Sequence, residues 1–218
     1  MRGIAASCSS GANMMSNELL RPLRIAVFFA LLIPAAMLAH DYWTGALASP
    51  FRTIVQETGT WSIRMLVLGL MIAPLRDLTG WAWPLALRRM IGLFAAFYAA
   101  VHLWAWTRQY GYDWSTLFDE ITRLWLLVGL LALLAMVPLV ATSATIMHRL
   151  LGPRQWGQIH KLVYAAAIFA VIHYAMAHGL TRSEMVVDAV LIVLALLWRL
   201  RPRRVSAPSP SPSPSSSA

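Results

Sequence analysis

The chain has 218 residues, of which 59% are hydrophobic and 12% charged, with a mean hydropathy of +0.61. That balance excludes an ordinary soluble domain and marks a membrane protein. The single cysteine, Cys8, excludes an intramolecular disulfide and any multi-cysteine metal site.

Residues 1–22 are expected to form a cytoplasmic N-terminal segment. Six apolar runs follow, at 25–39, 59–75, 90–106, 124–141, 162–177 and 185–200. Each is somewhat shorter than the ~20 residues that cross a bilayer core, so flanking Trp, Tyr and Arg must complete the spans. The first run carries Pro34 in mid-span and ends at His40, read as a solvated interface residue. The second holds Arg64 about one turn inside its outer end, either snorkelling to the headgroups or facing an anionic cofactor group. In the short inner loop, Arg76, Arg88 and Arg89 are topology signals or hold anionic cofactor groups. The third run passes outward through His102, and the fourth returns, with Pro138 near its end, to a basic inner loop containing His148. The fifth is a hydrophobic helix from Trp156 to His178 that carries His160 and His173. The sixth has Asp188 one turn inside its outer end, read as a capping or interfacial residue. Residues 205–218, a Pro/Ser repeat, are expected to be a disordered tail.

These runs predict an all-α integral membrane protein, a bundle of six transmembrane helices over residues 23–204. An even number of spans puts both termini on one side. On that side lie 13 of the 18 basic residues, while the other side has seven of the nine acids. The positive-inside rule then makes both termini cytoplasmic. The net charge of +9 is a consequence of this topology, so lipid is the expected partner and nucleic acid is not.

Histidine inside a membrane helix is costly unless it has a partner. His102 lies fourteen residues beyond Arg88, and His173 thirteen beyond His160. With helices three and five parallel, both histidines sit roughly 20 Å from the inner ends at 1.5 Å per residue. Two depth-matched imidazoles suit the two axial positions of one haem in a helical bundle. Ala99 and Ala95 precede His102 by three and seven residues, as Ala170 and Ala166 precede His173. Both histidine faces are thereby expected to be cleared for a flat macrocycle. His160 raises the question of a second haem nearer the cytoplasm. Arg88 stands where its imidazole partner is wanted, and arginine is no ordinary iron ligand, so an inner haem would be five-coordinate, use His148, or be absent. An ideal helix also turns His160 about 140° away from His173.

Thr58-Gly59-x-Trp61, Ala73-Pro74-Leu75-Arg76, Arg88-Arg89-x-Ile91-Gly92, His102, Trp156-x-x-x-His160-Lys161-Leu162-Val163-Tyr164 and His173-Tyr174 together resemble the MsrQ family. Its members are haem-binding membrane subunits of a periplasmic protein-methionine-sulfoxide reductase system, within the wider ferric-reductase-like transmembrane group. The resemblance covers about residues 20–200. It implies b-type haem, one or two, with His102, His160 and His173 as iron ligands, and a flavin mononucleotide (FMN). It also implies an electron-transfer subunit, not the catalytic one, of a multi-pass protein in the bacterial inner membrane. Electrons would come from the quinone pool or a cytosolic flavin reductase and pass to a periplasmic molybdopterin oxidoreductase subunit (MsrP-like) for repair of oxidised proteins. Ala73 stands where the family often has Thr. No Gly-rich dinucleotide fingerprint occurs, so NAD(P)H is not expected to bind here. The alternatives are a stand-alone ferric or quinone reductase cytochrome and, in a different class, a haem-free channel or structural membrane protein.

Overall fold

The computed structural model describes residues 17–179 and 183–201. The expectations for residues 1–16 and for the Pro/Ser tail lie outside the described residues. Among those described there is no strand; the elements are α1 (Asn17–Trp43), α2 (Pro50–Thr79), a 3₁₀ turn (Trp83–Ala86), α3 (Arg88–Gln109), α4 (Trp114–Ile121), α5 (Leu124–Ala141), α6 (Thr145–Ile159), α7 (Leu162–His178) and α8 (Ser183–Leu200).

Five helices are long and apolar enough to cross a membrane, with α6 and α7 together making one of them. The sixth predicted run forms α8, whose Glu184, Asp188 and Arg199 leave it outside that set. The helices outrun their apolar cores. α2 starts nine residues before the predicted run, at Pro50, whose fixed φ and missing N–H suit a first helical position. It stops at Gly80, which takes φ 74° and bonds its N–H to the Arg76 carbonyl.

Two stretches read as loops contain helix. The outer connection holds α4, and the basic inner loop holds α6, which is interrupted at Gly152 (φ 71°, ψ 163°) ahead of Pro153. The predicted helix from Trp156 to His178 is likewise two pieces. Around His160 and Lys161 the chain tightens to three-residue turns, with Lys161 N–H bonded to Gln158 and Tyr164 N–H to Lys161. A 3₁₀ turn advances faster per residue than an α-helix, so the ideal-helix angle between His160 and His173 does not apply.

Packing follows residue size. α2 lies along α3 and α5 along α7, while α8 covers α2 and α7 and α1 rests more lightly on α2 and α3. Ala95 and Ala166 are completely buried in the core shared with Met65, Leu66, Phe94 and Met136. Small side chains here let the backbones approach. The Ser62 hydroxyl donates to the Ala95 carbonyl at 3.0 Å, tying α2 to α3. The buried Tyr98 hydroxyl donates to the Leu31 carbonyl at 2.7 Å and holds α1 to the bundle. Outward-facing Leu131, Leu134, Val137, Ile168, Val193 and Leu197 are exposed, as a surface bathed in acyl chains requires.

Candidate functional site

Between the α2–α3 pair and the α5–α7 pair lies an apolar chamber of about 250 Å³. His102 reaches it from α3 and His173 from α7, and their ring centres stand 6.2 Å apart with planes at 88°. The depth match argued from sequence is thus a spatial pairing.

Each ring is fixed in the same way. His102 Nδ1 lies 2.8 Å from the Val55 carbonyl oxygen, and His173 Nδ1 lies 2.7 Å from that of Trp125. A carbonyl only accepts, so each Nδ1 carries the proton and each Nε2 keeps its lone pair. Such outer hydrogen bonds are how metal-binding histidines are oriented. Gly59, four residues after Val55, and Gly129, four after Trp125, lie against the imidazoles. A Cβ added at either would come within 2.9 Å of His102 Nδ1 or 2.7 Å of His173 Nδ1. Trp125 also stacks on the His173 ring, with centres 5.6 Å apart and planes at 16°.

The arrangement fits haem iron on its own chemistry. Metal–imidazole bonds are about 2.0–2.1 Å, so two imidazoles facing one metal from opposite sides stand with ring centres about 6 Å apart. Among the described residues no three His, Cys, Asp or Glu side chains converge. Two nitrogens without further donors suit an iron whose other four positions come from a macrocycle. Ser62, Ala99, Ala132, Met136 and Ala170 supply small or pliable walls. Of the four alanines expected to clear the faces, Ala99 and Ala170 line this chamber, whereas Ala95 and Ala166 are spent on helix packing.

A second chamber of about 280 Å³ lies towards the other end of the bundle, and Leu66 and Met136 line both. Here the structure brings together Arg88, Arg89, Trp156 and His160. His160 stacks on Trp156 with ring centres 3.8 Å apart, and its Nδ1 lies 3.1 Å from the Trp156 carbonyl oxygen. Its Nε2 is again the nitrogen left for a ligand. Arg89 reaches Thr145 at 3.2 Å. His148 contacts Trp156, with ring centres 5.1 Å apart, and does not line the chamber.

Two of the predicted arginines are engaged elsewhere. Arg64 pairs with Glu184 at 2.5 Å and lies over the Trp61 ring. Arg76 pairs with Asp77 at 2.7 Å. Neither lines a chamber. His40 is exposed beside Asp41, and His178 stands at the rim of the histidine chamber against Tyr174. Sequence reasoning gave no part in holding the histidines to Val55, Gly59, Trp125 or Gly129; it read Trp125 as an interfacial belt residue and met Gly59 only within the family motif. The available signal was a glycine in each of two apolar helices, near the end where the neighbouring histidine lies.

A helical membrane protein with paired imidazoles in its interior matches, over residues 58–171, the family model described as ferric reductase like transmembrane component. More particular relatives extend the match over most of the chain. A protein-methionine-sulfoxide reductase heme-binding subunit MsrQ from Rhodospirillum rubrum is 39% identical over 82% of this chain and 88% of its own length. Proteins of the same name from Azospira oryzae (36% identical; 87% of this chain, 83% of theirs) and Xanthomonas campestris pv. campestris (39%; 83% and 86%) are similar to it as well. The chain belongs to the MsrQ family.

Proposed function

We propose that this chain is a b-type cytochrome of the inner membrane. In this reading it relays electrons from the quinone pool or a cytosolic flavin reductase to a periplasmic molybdopterin-dependent methionine-sulfoxide reductase subunit. It carries electrons and leaves the chemistry on the sulfoxide to that partner. The observation that carries the reading is the pair of imidazoles, 6.2 Å apart in one apolar chamber, each held by a main-chain carbonyl.

Haem, when bound, supplies a one-electron ferric/ferrous couple. The chain's own residues do the rest. His102 and His173 would hold the iron through Nε2, and the Val55 and Trp125 carbonyls fix the tautomer and ring angle. The mostly apolar walls would lower the local dielectric around a bound haem. In the second chamber His160 offers a third imidazole, and Arg88 and Arg89 offer cations for carboxylates or a flavin phosphate, a lining that supports reading it as a site for a second haem or for FMN. Six spans with both termini cytoplasmic would put the paired-histidine chamber on the periplasmic side, next to its acceptor.

A visible spectrum of the detergent-purified chain tests this. The expected result is a ferric Soret band that shifts on dithionite reduction to a b-type ferrous spectrum. It should be lost or greatly weakened in His102→Ala and His173→Ala and retained in His40→Ala. A colourless protein that takes up no added haem would overturn the reading. Rapid reduction of soluble ferric chelates without any partner protein would instead favour a stand-alone ferric reductase.

A further inference from the structure

We propose that Gly59 and Gly129 are positioning residues for the axial imidazoles: each leaves the space in which a histidine ring lies against a neighbouring helix and reaches that helix's carbonyl. The inference rests on the reading of His102 and His173 as haem ligands and adds the device that aims them.

The geometry is the same at both positions. On α2 the accepting carbonyl is Val55 and the glycine is Gly59; on α5 they are Trp125 and Gly129. In an α-helix a residue and the one four places on are stacked on one face, so carbonyl and glycine form a single shallow cradle. A Cβ at Gly59 would lie 2.9 Å from His102 Nδ1 and 3.1 Å from Cε1; one at Gly129 would lie 2.7 and 2.9 Å from the same atoms of His173. Both sets of contacts run along the imidazole edge that carries the carbonyl bond. The ring cannot move away and keep that bond, and a ring that turns loses the aim of Nε2. The helix backbone can yield only by separating α2 from α3 or α5 from α7. Gly157, by contrast, has nothing within 4 Å of an added Cβ and lines neither chamber.

The expected sign is the reverse of the ordinary one. Alanine is the better helix former, so Gly→Ala within a helix normally stabilises. Here Gly59→Ala and Gly129→Ala should accumulate in the membrane but lose roughly 10-fold or more in haem affinity. That is the lower end of what loss of an outer-shell partner costs a metal site. The haem that remains should show a high-spin ferric spectrum in place of the low-spin one, and a shifted midpoint potential. Gly157→Ala should match the wild type in all three readouts. Wild-type haem content, spin state and potential in both Gly59→Ala and Gly129→Ala would overturn the proposal.

If Gly59→Ala does not accumulate, the double variant His102→Ala/Gly59→Ala decides. Recovery to the yield of His102→Ala alone places the clash at the ring, while persistent loss overturns the proposal; His173→Ala/Gly129→Ala does the same for α5. A wild-type protein that binds no haem would sink the parent reading, a result distinct from any of these.

Discussion

At the scale of single residues, position relative to the chambers separates the proposed ligands from side chains engaged elsewhere. Arg64 looked in sequence like a cation for an anionic cofactor group, yet its guanidinium meets Glu184 and faces neither chamber. The pair is partly exposed, and such pairs contribute about 0–1 kcal/mol. Arg64→Gln should therefore leave haem content unchanged, as read by pyridine haemochrome assay. If the second chamber holds the anionic cofactor proposed for it, Arg88→Gln should weaken its binding, with less cofactor recovered per protein. Tyr98→Phe removes the buried hydroxyl bond to Leu31 and should cost about 1 kcal/mol, seen as a lower Tm with an unaltered spectrum. The histidines were legible because a buried imidazole is an outlier on an apolar helix and depth can be counted. Gly59 and Gly129 were not. A glycine's meaning depends on what lies where its Cβ would be, and that belongs to the neighbouring helix.

At the scale of elements, hydropathy recovered the cores of the long helices and missed what lies at their ends. α4 and α6 were read as loops because their sequences are not continuously apolar, although hydrogen bonding makes them helical. α4 shows the cause locally. Asp113 is its N-cap, accepting from the Thr116 hydroxyl at 2.6 Å, the Ser115 hydroxyl at 2.7 Å and the Ser115 N–H at 3.2 Å. These bonds favour the charged form, and the hydroxyls of Thr116 and then Ser115 hold its carboxyl below the usual range. The folded carboxyl thus titrates below its unfolded counterpart. The cap's contribution is fully present above the ordinary carboxylate range and fades as pH falls through the depressed value. Amide protection in α4, taken as exchange relative to the intrinsic rate at each pH, should accordingly hold at neutral pH and fall under acid, whereas Asp113→Ala should lower it at neutral pH and remove most of its acid dependence. The break at His160 and Lys161 was equally hidden. Nothing in Trp156–His178 forbids a continuous helix, yet the hydrogen bonds at His160 and Lys161 close three-residue turns.

At the scale of the whole molecule, two helix pairs repeat one device. In each, a histidine on the second helix bonds the carbonyl of the first, and a glycine four residues on accommodates the ring. No internal repeat was evident in sequence because the shared positions are so few and the side chains around them differ. What this arrangement does depends on which end of the bundle faces the cytoplasm. By the sequence count most of the basic residues share the side of Arg88, Arg89 and His160 and most of the acids the side of His102 and His173, although Arg52 lines the paired-histidine chamber. In the proposed relay, the positive-inside orientation would have electrons enter at the arginine chamber and leave at the paired histidines. A Cys8→Ser background permits a direct check, since Cys8 is the chain's single cysteine. Cysteine placed at the exposed positions Asp119, Gln155 or Arg201 can be challenged with a membrane-impermeant maleimide on intact spheroplasts. Asp119→Cys should label at once, and Gln155→Cys and Arg201→Cys only after permeabilisation. Labelling of Arg201→Cys from outside would mean that α8 does not cross and that six spans are too many. Labelling of Gln155→Cys in place of Asp119→Cys would turn the bundle over, put the paired histidines on the cytoplasmic side, and reverse the direction of electron flow.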